Sequence, residues 1–168
     1  MISPTFISDN STYFENLMRH RFTYDVSRLL LLRDPPLMMN VSRAEIDDAG
    51  VDIVMTVGRV TRQIQMKALA KEKTSNPYAI AESLLKMPQG CVIWICYDRE
   101  SLEPSRFHLF DAGLKGLDAK ALASIPQATK KKNGVKIPRK GYRHIRIKDA
   151  QHQALSLERI VAVLFDPA

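Results

Sequence analysis

The sequence predicts an α/β fold, a mixed sheet flanked by helices. Three observations carry the prediction. A long segment near the N-terminus repeats apolar residues at helical spacing. Two alternating segments around Gly58-Arg59 read as a hairpin, and "CVIWICYD" at 91–98 is a continuous apolar run. Helical and strand patterns that interleave along one chain pack as layers of helix and sheet.

Residues 1–9 read as a loose lead-in. Asn10 or Ser11 then caps a helix. Phe14, Leu17, Met18, Phe22, Val26, Leu29 and Leu30 give that helix one apolar face. Asp34-Pro35-Pro36 stops it, because proline cannot continue the hydrogen-bond ladder. "LMMNV" (37–41) reads as a short strand or an extended connector, and "AEIDDAG" (44–50) as a polar turn in which Asp47 and Asp48 bond their own backbone.

In 51–57, Val51, Ile53, Met55 and Val57 share one face, and Asp52, Val54 and Thr56 the other. Gly58-Arg59 is a compact turn. In 60–68, Ile64, Met66 and Ala68 face one way, and Gln63, Gln65 and Lys67 face the other, toward solvent. A helix is expected over 78–87, ended by Pro88 to Gly90. The run 91–98 reads as a buried central strand with 105–113 beside it. In the segment 130–148, Gly134, Pro138 and Gly141 make the first half a loop, and 142–148 an edge strand. Residues 156–165 form a closing helix with Ser156 as its cap and Arg159 facing out. No repeat, low-complexity tract or long linker divides the chain, so a single domain over 1–168 is expected.

Composition narrows the class. The chain has 168 residues, 45% hydrophobic and 26% charged, an ordinary globular balance. No signal-peptide pattern opens it. The longest aliphatic run, Leu29 to Leu32, is too short to cross a bilayer. The expectation is a cytoplasmic protein without a membrane partner. Cys91 and Cys96 lie about 16 Å apart on an extended strand, at about 3.3 Å per residue. They point to opposite faces, too far apart to bridge. No Cys/His spacing suits zinc.

Charge is concentrated. Lys130 to Lys148 holds nine Lys or Arg and no acid. Those nine exceed the net charge of +7, leaving −2 on the remainder. A mildly acidic body with one basic stretch points to a polyanionic partner, nucleic acid first. Lys130, Lys131, Lys132, Lys136, Arg139, Lys140 and Arg143 are its candidate contacts.

The hairpin carries the chemistry. Asp52 on one arm faces Gln65 and Lys67 on the other. Carboxylate and amide oxygens can hold a hard cation. A lysine beside them can stabilise charge developing on phosphate. Asp52, twelve intervening residues and Gln65-Met66-Lys67, preceded by "EIDDAG" and followed by a helix and a buried strand, resemble the PD-(D/E)xK nuclease superfamily. The resemblance covers about residues 10–112. It implies the restriction-endonuclease-like αβββαβ core and Mg²⁺- or Mn²⁺-dependent hydrolysis of nucleic acid, DNA foremost. It implies Asp52 as the metal-binding acid, Gln65 as the second ligand and Lys67 as the catalytic lysine.

Many members add an acid from the first helix, where Glu15 stands. A glutamate in the first turns of a helix also suits the macrodipole alone. Two departures are visible: Val51 precedes Asp52 where the family has proline, and Gln65 makes the motif QxK. QxK also occurs in members without activity. Gln65 removes a negative charge that Glu15, Glu45, Asp47 or Asp48 would have to supply. The alternatives are a catalytically inactive nuclease-fold protein that binds nucleic acid, or a basic RNA-binding protein. With one site, cutting both strands implies a homodimer.

Overall fold

The computed structural model describes residues 2–43, 50–70, 75–132 and 134–166. Among them it contains five helices and nine strands. Helix α1 (Pro4–Asp9) and helix α2 (Ser11–Leu31) come first. The lead-in expected over 1–9 is therefore helical in part. Ser3 accepts from the Phe6 N–H at its N-terminus and Pro4 starts the first turn, a pairing of cap and proline that the sequence displays.

On α2 the residues at four-residue intervals, Phe14, Met18, Phe22, Val26 and Leu30, are buried, with Leu17 and Leu29 half-buried beside them. This stripe lies on a six-stranded mixed sheet. Strands β1 (Met39–Ser42), β2 (Ile53–Val57) and β3 (Val60–Leu69) run antiparallel in sequence. Val57 pairs with Val60 across Gly58-Arg59, so the expected hairpin forms with a two-residue turn. Strand β5 (Gly90–Tyr97) lies parallel to β3, and β6 (Pro104–Asp111) lies antiparallel to β5. Every residue of β5 is buried, as its apolar run requires. Strand β9 (His152–Leu155) closes the order β1-β2-β3-β5-β6-β9. Helix α5 (Leu157–Phe165), capped by Ser156, packs on the same face as α2, and Arg159 is exposed. The buried Arg62 holds α5 by donating to the Leu164 carbonyl at 2.8 Å and to Asp111 at 3.0 Å.

The expected helix over 78–87 divides instead. Residues Pro77–Ala81 form strand β4 and only Glu82–Lys86 form helix α3. Helix-favouring Ala79 and Ala81 yield here to tertiary pairing, because β4 pairs antiparallel with β8 (Val135–Arg146) from Pro77↔Arg146 to Ala81↔Tyr142. The basic segment also differs from expectation. Its first half is a hairpin, β7 (Gln127–Lys132) with β8, rather than a loop. Its second half is the middle strand of a three-stranded sheet, β4-β8-β7, rather than an edge. A short helix α4 (Ala119–Ser124), capped by Asp118, precedes it.

The second sheet and α3 cover the other face of the main sheet. Val92 and Trp94 pack there with Ile80, Leu84, Leu85 and Ile145. Val51 belongs to this second core, whereas Ile53, Met55 and Val57 belong to the first. The alternation read from Val51 onward thus starts two residues later, where β2 begins. Cys91 and Cys96 are buried and form no disulfide with each other. Among the described residues no helix is long and apolar enough to cross a membrane.

Candidate functional site

Where β2 begins, its pairing with β3 ends, and Asp52 lies at that point. Its backbone N–H donates to the Ile64 carbonyl at 2.9 Å. Its carboxylate Oδ2 accepts from the Met66 N–H at 2.6 Å. Asp52 thus takes a ladder donor that β2 no longer serves and is fixed between Gln65 and Lys67. Two residues earlier, Gly50 lets the chain pass close to Ala81 of β4. It has φ +73°, and a Cβ there would meet the Ala81 Cβ at 2.6 Å.

Strand β3 places Gln65 and Lys67 two residues apart on one side. Gln65 does not face solvent as expected. It is only 7% exposed, because β5 pairs beside it and the second sheet covers that face. Its Oε1 is buried without a hydrogen-bond partner. A buried, unserved oxygen in a paired strand is uncommon and costs about 1–3 kcal/mol.

Lys67 is half-buried, and its Nζ lies 3.5 Å from Glu15 Oε1. Helix α2 packs against β3 and so delivers Glu15. The structure brings Asp52, Gln65, Lys67 and Glu15 to one cleft of about 360 Å³. Arg19, one turn beyond Glu15 on α2, lines the same cleft. Its Nη2 donates to Asn16 Oδ1, and its Nε is buried without a partner. Arg19 was not among the sequence candidates. Its spacing of four from Glu15 was the available signal, since such residues share a helix face.

No protein-family model, curated protein or solved structure matches this chain.

The donor set is suited to a hard divalent cation: a carboxylate at Asp52, a second at Glu15 and the unserved amide oxygen of Gln65. Among the described residues no three His, Cys, Asp or Glu side chains gather as metal ligands, so the amide is needed to complete a set of three. Glu45, Asp47 and Asp48 lie outside the described residues.

The basic residues fall into two groups. Lys130, Lys131, Lys132, Lys136 and Lys140 are exposed on β7 and β8. Arg139 lies over the Tyr142 ring at 3.6 Å from its centre. Arg143 stands apart from these. It donates to Glu82 at 2.8 Å and to the Ile125 carbonyl at 2.9 Å, joining β8 to α3 and to the end of α4.

Proposed function

We propose that the chain is a divalent-metal-dependent nuclease of restriction-endonuclease-like fold, hydrolysing phosphodiester bonds in DNA. The observation that carries this reading is the convergence of Asp52, Gln65, Lys67 and Glu15 on one cleft. The order of elements supports it too: α2, three antiparallel strands, then α3 and β5 parallel to β3, with β4 inserted before α3 and set in the second sheet.

Asp52, Gln65 and Glu15 would hold Mg²⁺ or Mn²⁺ through oxygen. When bound, the ion supplies an activated water and neutralises charge on the leaving oxygen. Lys67 and Arg19 act on the phosphate itself. Each presents a cation toward the cleft, where non-bridging oxygens gather charge as water adds to phosphorus and the ester oxygen departs. Glu15 orients Lys67 through the 3.5 Å contact, and Met66 N–H holds Asp52 still. Cutting both strands with one such site calls for two copies of the chain.

A second reading has a specific observation in its favour. Gln65 is neutral, so the described cleft holds two carboxylates against two cations. A site that binds nucleic acid without cutting it would tolerate that balance. Supercoiled and linear DNA incubated with Mg²⁺, Mn²⁺, Ca²⁺ or EDTA distinguishes the two. The nuclease reading expects cleavage with Mg²⁺ or Mn²⁺ and none with EDTA. Binding without cleavage in every ion selects the inactive binder.

A further inference from the structure

Strand β4 pairs with β8 only between Tyr142 and Arg146. From Val135 to Gly141 the partner of β8 is β7 alone, through Thr129↔Pro138, Lys130↔Ile137, Lys131↔Lys136 and Lys132↔Val135. Among these eight residues only Ile137 is even half-buried, and none belongs to either core. The hairpin therefore projects from the second sheet as a ribbon without a packing role. Free-standing two-stranded ribbons are marginal in water. This one also places Lys131 directly opposite Lys136, an arrangement that repels.

The cations occupy both faces. Residues paired across a ribbon share a face, and successive pairs alternate. Lys131 and Lys136 lie on one face, and Lys130 and Lys132 on the other with Val135 and Ile137. No Asp or Glu occurs from Ala119 to Lys148 to neutralise them. A flat anionic surface could engage one face only. A groove with phosphates along both walls engages both.

We infer that the β7–β8 hairpin is a ribbon that enters the major groove of duplex DNA. That groove, about 12 Å wide and 8.5 Å deep, admits a two-stranded ribbon. The four paired positions span about 10 Å at roughly 3.4 Å per residue, enough to reach its floor. Val135, apolar and 63% exposed near the tip, is suited to the thymine methyl group displayed there. Arg139 stacked on Tyr142 stiffens the base of the ribbon. The major groove of an RNA duplex is too narrow for this entry. The inference rests on the nucleic-acid part of the proposed function and not on its chemistry.

The test is binding by fluorescence anisotropy in EDTA, where no cleavage occurs. Three labelled duplexes are compared at matched salt: DNA, RNA of the same sequence, and DNA carrying 5-glucosylhydroxymethylcytosine, whose sugars fill the major groove and leave the phosphates intact. The expected result is binding to plain DNA at least about tenfold tighter than to either of the others. The variant K130A/K131A/K132A should lose that preference and reduce the salt slope by about two units. Equal binding to plain and glucosylated DNA by the wild type overturns the inference, as does preference for the RNA duplex. Groove-sensitive binding without cleavage in any metal leaves the ribbon standing and removes the nuclease. Cleavage with groove-insensitive binding does the reverse.

Discussion

Replacing Gln65 by glutamate separates a metal ligand from a merely buried amide. The side chain is 7% exposed and its Oε1 has no partner. A carboxylate at this place is desolvated and lines the same cleft as Asp52, which accepts from the adjacent Met66 N–H. Both effects raise its pKa, and Lys67 and Arg19 in the same cleft oppose them. A rise of about two units costs about 2.7 kcal/mol at neutral pH. For a chain of this length that lowers the melting temperature by roughly 5–11 °C. Because the folded value exceeds the unfolded one, metal-free Gln65→Glu is most stable at low pH and loses stability as pH rises through the folded value.

A divalent ion reverses the penalty if Gln65 is a ligand. Binding at a hundred times the dissociation constant returns about 2.7 kcal/mol. The assay is thermal unfolding of wild type and Gln65→Glu in EDTA and in Mg²⁺, at neutral pH. The variant should melt well below wild type in EDTA, and Mg²⁺ should raise the variant by more degrees than the wild type. If Mg²⁺ moves both proteins equally, Gln65 does not face a cation and the ligand set is wrong.

If the cleft cuts DNA as proposed, Arg19→Ala should lower the single-turnover cleavage rate about 100-fold while leaving Mg²⁺-dependent stabilisation intact, since the proposal sets Arg19 against the phosphate and not among the metal ligands. Phe22→Ala should cost about 3–5 kcal/mol in urea unfolding, because Phe22 is fully buried and meets Phe107 with rings 5.3 Å apart. Asp98 offers a pH test. N–H donors of Ser101 and Glu100 and the Ser101 hydroxyl hold its carboxyl below the usual aspartate range. Its contribution is complete above the unfolded value near 3.9 and fades as pH falls through the folded one. Asp98→Ala should therefore destabilise the chain at about pH 6 and be nearly neutral at about pH 2.

The sequence was most legible where one periodicity ruled. The four-residue repeat from Phe14 to Leu30 and the unbroken run of β5 each specify a buried surface that no other arrangement satisfies. The hairpin at Gly58-Arg59 was readable for the same reason. Residues 77–86 were not, because the strand half of that segment exists only through its pairing with β8, more than sixty residues away. The β7–β8 hairpin had a local signal, Asn133-Gly134 between the paired Lys132 and Val135, and nearby Pro138 and Gly141 obscured it. At the site, Asp52, Gln65, Lys67 and Glu15 were visible as residue types at suggestive spacing. The burial of Gln65 was not visible, since it depends on β5 and the second sheet.

Lys67 gives the most direct test of the claim that this cleft hydrolyses phosphodiesters. Single-turnover cleavage of a labelled DNA duplex in Mg²⁺ or Mn²⁺ is measured for wild type and Lys67→Ala, with urea unfolding confirming that both are folded. The account predicts cleavage by the wild type and a loss of about 100- to 1,000-fold in the variant, the usual effect of removing a preorganised group that stabilises transition-state charge. A folded Lys67→Ala that cuts as fast as wild type contradicts the account.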